Sequence, residues 1–99
     1  MAFAKITTLE DQLYNLQHSW QRLVEAVYDD NDSSGVYEQC VNIWINAVGI
    51  QMYNIAEQFD TQFDWQGWFT ANGGKELVAT LRRRGCPSAT TALLLAVDM

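Results

Sequence analysis

The feature that most constrains the fold is a row of apolar residues, Leu9, Leu13, Leu16, Trp20, Leu23 and Val27, spaced 4-3-4-3-4. Successive helical side chains turn by about 100°, so a repeat averaging 3.5 residues places the whole row on one helix face. Val24 and Tyr28 widen the row at its end, while Gln12, Asn15, Gln17, His18, Gln21 and Arg22 fill the opposite face. Thr7 with Glu10, or Thr8 with Asp11, has the spacing of a capping box that opens a helix. Such a row packs inside a bundle, with self-association as a coiled coil the alternative.

The remaining pattern is helical too. Asp29-Asp30-Asn31-Asp32-Ser33-Ser34-Gly35 consists of turn formers and ends the first helix. A second helix is predicted from about Val36 to Phe59. Tyr37, Val41, Trp44, Val48, Met52, Ile55 and Phe59 form one apolar seam on it, and Val36, Cys40, Ile43, Ala47 and Ile50 form another. A helix apolar over so much of its circumference is expected to be central, contacted from two sides, with Cys40 packed as a small hydrophobe. The β-branched run Val41–Ile45 competes as a strand, but Asn42 and Asn46 and the length of the pattern favour helix. After a turn at Asp60–Phe63, a short third helix carries Trp65, Trp68 and Phe69 and stops at Asn72-Gly73-Gly74. A fourth spans Lys75 to Arg84, with three Arg against its negative end and Gly85 as a stop. Pro87 restarts the chain, and Thr90 to Val97 supplies a final apolar segment. The expected fold is all-α: a compact single-domain bundle of four to five helices with short loops over residues 1–99.

Charge sorts the function classes. The 99-residue chain carries twelve acids against six bases, a net charge of −6. Met1 to Asp64 hold ten acids and two bases, and no Lys or Arg lies between Arg22 and Lys75. This argues against direct nucleic-acid binding, which needs clustered positive charge. It fits either a solubilising surface or a field that steers toward a basic partner. The longest apolar run, Ala92 to Val97, is far short of the ~20 residues of a membrane span. Met1-Ala2-Phe3-Ala4-Lys5 leads into no apolar signal core, and there are only two Cys, so a reducing cytoplasm is the expected compartment.

Residues with chemical potential are few. Asp30-x-Asp32-x-Ser34-Gly35 matches positions 1, 3, 5 and 6 of a calcium loop, with Glu38 at position 9. Position 12, where the bidentate Glu belongs, is Val41, so a helix-capping turn is expected and no metal site. His18 is the sole imidazole, on the polar face of the first helix and without an obvious catalytic partner. Cys86 stands before Pro87 and near three Arg, features that activate a thiol, but burial or capping is the simpler role. Glu57, Asp60 and Asp64 lack the accompanying His of a helical metal site. Gly73-Gly74-Lys75 is too short for a phosphate loop.

These readings leave no catalytic residue, metal or cofactor to nominate. The expected function is a small acidic non-catalytic protein-binding module, of inhibitor, immunity, anti-defence or assembly-factor type, docking on a larger protein with a basic surface. The alternatives are a self-associating structural subunit, and a helical carrier or enzyme with an aromatic pocket. The chain itself is expected to be a monomer or homodimer. The candidate binding residues are Phe63, Trp65 and Trp68, with Asp60 and Asp64 beside them and Asp29, Asp30 and Asp32 as steering charges. Whether the Phe59–Phe69 aromatics are core or interface stays open at this level.

Overall fold

Five α-helices account for nearly all of the residues that the computed structural model describes, which are 8–29, 36–59 and 64–97. The first, α1, runs Leu9–Tyr28. Thr8 caps it: the Asp11 amide donates to the Thr8 hydroxyl at 3.1 Å, and the Thr8 amide donates to the Asp11 carboxylate at 3.4 Å. The apolar row does what its period requires. Leu16, Trp20, Leu23 and Val27 are buried, while Leu9 and Leu13 pack half-buried at the edge of the core.

Helix α2, Val36–Phe59, lies along α1 and contributes Tyr37, Val41, Ile45, Val48, Met52 and Ile55 to the core. Tyr37 fastens the pair, its hydroxyl donating to the Val27 carbonyl at 2.8 Å and so satisfying an acceptor of the last turn of α1. Arg84 stacks over the same ring, 4.6 Å from its centroid. The three remaining helices, α3 (Trp65–Ala71), α4 (Gly74–Arg83) and α5 (Pro87–Val97), close the core from the other side, with α5 against both α2 and α4. Pro87 opens α5 as its first helical residue, as the sequence predicts, and the apolar segment Thr90–Val97 forms the rest of that helix.

Glycine matters at the turn into α4. Gly73 caps that helix in the left-handed region, φ 79°, where an L side chain is strained. At Gly74 the Phe69 ring comes so close that a Cβ would sit 2.5 Å from it. The absence of a side chain is what lets α3 fold back onto α4.

One expectation is corrected. Helix α2 is not sandwiched: Val36, Ile43 and Ile50, the second seam, are 52%, 57% and 61% exposed, and Cys40 is exposed rather than packed. The backbone measures 45 × 31 × 18 Å, and 18 Å admits two helical layers at the usual interaxial spacing of 8–10 Å. Helix α2 does meet two helices, α1 and α5, but in a two-layer slab neither reaches its outer seam. Trp44, placed on the buried seam from its spacing, is half-buried, and Ile45 takes the inner position. Among the described residues no helix is long and apolar enough to cross a membrane.

Candidate protein-binding surface

The aromatic cluster nominated from the sequence is mostly core. Trp65 is 4% exposed and Phe69 6%, and Phe59 packs half-buried against the core. Trp68 is half-buried, edge-on to Trp20 at 5.2 Å and to Trp65 at 6.3 Å between centroids. The reason lies in the i, i+4 spacing of Trp65 and Phe69: it turns both rings inward on a seven-residue helix whose Phe69 ring meets Trp20 of α1. Trp65 is therefore no surface anchor. Asp64 is exposed, but its carboxylate caps α3, accepting from the Gly67 amide at 2.9 Å. Asp29 is exposed at the C-cap of α1. Asp30, Asp32, Asp60 and Phe63 lie outside the described residues.

The other chemical candidates are placed as follows. His18 is exposed, with its ring edge-on to Tyr14 at 4.5 Å. Cys86 is buried, with its thiol 3.9 Å from the Arg84 carbonyl oxygen. Val41, which occupies the position of the missing calcium ligand, is fully buried in the core. Glu57 and Asp64 belong to different elements, since α2 stops at Phe59. Among the described residues no group of three or more His, Cys, Asp or Glu is arranged to hold a metal ion. A groove of about 530 Å³ opens between α3, α4 and α5, floored by Phe69, Val78 and Val97 and edged by Lys75 and Arg82. Phe69 is the one ring in the lining of this groove, and Trp20 is the one ring in a second groove of about 480 Å³ beside Asn72.

Two outward faces stand out instead. On α1, Asp11, Tyr14, His18, Arg22, Glu25 and Asp29 recur at helical spacing on the side opposite the buried row, with Tyr28 beside them. Tyr14 is 65% exposed and Tyr28 46%. Arg22 and Glu25 sit 3.8 Å apart on this face, both well solvated, so the pair adds little stability. Three carboxylates against one guanidinium, with two solvated phenol rings, make an acidic surface with aromatic anchors. The second face is the open seam of α2, which carries no charge from Gln39 to Ala56. Its flank is a groove of about 270 Å³ shared with α5 and lined by Gly49, Ile50, Tyr53, Ala92 and Ala96. At the end of this flank the Glu57 carboxylate, hydrogen-bonded to the Tyr53 hydroxyl, holds that phenol above its ordinary value of 10.0.

Sequence reasoning weighed Asp29, read Tyr28 as a widening of the apolar row and passed over Tyr14. The structure corrects the second reading, since Tyr28 is exposed at the last turn of α1. For Tyr14 the signal was available: it falls outside the six-residue row, and a large ring on the polar face of an amphipathic helix has no core to enter. No protein-family model matches this chain, and neither a curated protein nor a solved structure is found to be similar to it. The surfaces themselves carry the functional argument.

Proposed function

We propose that this chain is a small acidic, non-catalytic protein-binding module that docks on a larger protein with a basic surface through the outer face of α1. The observation that carries the reading is the company kept by Tyr14 and Tyr28, which stand solvated among Asp11, Glu25 and Asp29 on one helix face. Tyrosine rings are favoured interface anchors, offering large contact area at the cost of two rotatable bonds. Carboxylates around them act at longer range: they speed encounter with a positive surface and are screened over a Debye length of about 8 Å at physiological ionic strength. The two contributions therefore separate in kinetics.

The test begins with a photo-crosslinking residue at Gln21, in the middle of this face, and a control at Thr91 on α5, both exposed positions. In the native host, Gln21 should give a discrete adduct with a larger protein bearing a basic surface, and Thr91 should not. With that partner purified, neutralising Asp11, Glu25 and Asp29 together should slow association and flatten its salt dependence. Replacing Tyr14 and Tyr28 by Ala should mainly speed dissociation. Equal adducts at the two positions, or association indifferent to both salt and neutralisation, would overturn the reading.

A further inference from the structure

The open seam of α2 is a separate problem with its own solution. Val36, Cys40, Ile43, Ala47, Ile50 and Asn54 follow one another at spacings of 4-3-4-3-4 along a 24-residue helix. A repeat averaging 3.5 residues matches a second helix lying alongside for its whole length rather than a globular surface touched at one point. Charge narrows the choice of helix. With a net charge of −6, two copies of this chain repel each other across most approaches. The stretch from Gln39 to Ala56 has no charged side chain, so two copies meeting there bring no like charges into contact.

The order of large and small residues then sets the orientation. Val36, Ile43 and Ile50 are β-branched; Cys40, Ala47 and Asn54, between and after them, are smaller. In a parallel pair, layers of Ile on Ile would alternate with Ala on Ala, and no single helix spacing fills both. In an antiparallel pair centred near Ile45, Ile43 faces the partner's Ala47, Ile50 faces the partner's Cys40, and Val36 faces the partner's Asn54. Every layer then holds one larger and one smaller side chain, which interdigitate at constant spacing. We propose that the outer seam of α2 pairs antiparallel with the same seam of a second copy, giving a two-fold symmetric dimer.

The area sets its strength. A helix of 24 residues is ~36 Å long, and a strip of that length and ~10 Å width is on the order of 400 Å² per copy. A standard interface takes ~800 Å² from each partner. The α2–α5 groove with Ile50, Tyr53 and Ala92 extends the strip sideways, but the total stays at the low end. The dimer is therefore expected to be weaker than one with an interface of standard size. It uses a different face from the α1 surface, so each reading can fail without the other.

Sedimentation equilibrium of the full chain in reducing buffer, from low micromolar to several hundred micromolar, is the first measurement. The weight-average mass should rise from 11.3 kDa toward twice that value. Ile43→Glu, at a side chain 57% exposed in the protomer, should keep the helical circular dichroism and hold the mass at the monomer value throughout. Orientation is read by oxidation. In the antiparallel pair the two Cys40 thiols lie ~15 Å apart along the axis, ten residues at 1.5 Å each, so the wild type should not cross-link. Ile50→Cys, which faces the partner's Cys40, should cross-link rapidly. A wild type that stays monomeric at the highest concentration overturns the dimer, and so does Ile43→Glu associating as well as wild type. Cross-linking of wild type through Cys40 as fast as Ile50→Cys overturns the antiparallel arrangement. If the wild type is monomeric and Ile43→Glu instead loses a host protein, the seam belongs to that protein and the dimer is refuted.

Discussion

Replacing Trp20 by Phe tests whether a single side chain ties the two halves of the fold together. Trp20 is 2% exposed, and its indole N–H donates to the Asn72 carbonyl, fifty-two residues away, at 3.0 Å. Its ring meets Trp68 and Phe69 edge-on at 5.2 and 5.7 Å. Phenylalanine keeps an aromatic ring but deletes the donor and leaves the Asn72 carbonyl short of a partner, which costs about 1–3 kcal/mol. Losing roughly two ring carbons of buried surface adds about 1–2 kcal/mol at ~0.8 kcal/mol per methylene equivalent. The expected total is about 2–5 kcal/mol. That is a large share of the ~5–15 kcal/mol available to a domain, and at ~4–8 °C per kcal/mol it lowers Tm by roughly 8–40 °C. Urea unfolding followed by circular dichroism is the suitable assay, because the substitution changes tryptophan fluorescence directly. Trp68→Phe, at a half-buried ring, should cost less. A separate double-mutant cycle with Trp20→Leu and Trp68→Leu, which removes both rings, should show about 0.5–1.5 kcal/mol of coupling from the lost edge-to-face pair. A Trp20→Phe cost below about 0.5 kcal/mol, the range of ordinary surface changes, would refute the argument that this contact anchors α1 to the turn between α3 and α4.

Four further outcomes are expected. Tyr37→Phe keeps the ring under Arg84 but removes the donor to the Val27 carbonyl; thermal unfolding should show a loss of about 1–2 kcal/mol. Gly74→Ala forces a Cβ against the Phe69 ring and should cost about 1–3 kcal/mol in urea unfolding, despite the helix propensity gained. Gly85→Ala meets nothing within 4 Å and should cost only the ~1 kcal/mol of its left-handed backbone. Glu57→Gln removes the carboxylate that holds the Tyr53 phenol up, so ionisation of that ring, followed by NMR, should move down toward the ordinary tyrosine value.

Helix positions and types were legible in the residues because each is decided locally. The 4-3-4-3-4 row, the Thr8 and Asp11 pair, Asn72-Gly73-Gly74 as the stop of α3 and Pro87 at the start of α5 are statements about chain neighbours, and the bounds of α1, α3 and α5 follow from them. The inward turn of Trp65 and Phe69 was legible as a face but not as a destination, since their spacing is equally that of an exposed pair. Trp20 finding Asn72, and Tyr37 finding Val27, depend on how the helices are stacked.

The two seams of α2 mark the boundary most sharply. Both have apolar residues at helical spacing, so the sequence by itself determined that α2 is a helix with two faces able to bury surface. It did not determine which face would be covered. That depends on the supply of other helices: α1, with 20 residues, and α5, with 11, are the two that pack on α2, and neither covers its outer seam. Hydrophobic burial is non-directional and rewards either seam alike. Only the tertiary arrangement, limited to two layers by the length of the chain, chose Val41, Val48 and Met52 for the interior and left Ile43 and Ile50 facing water.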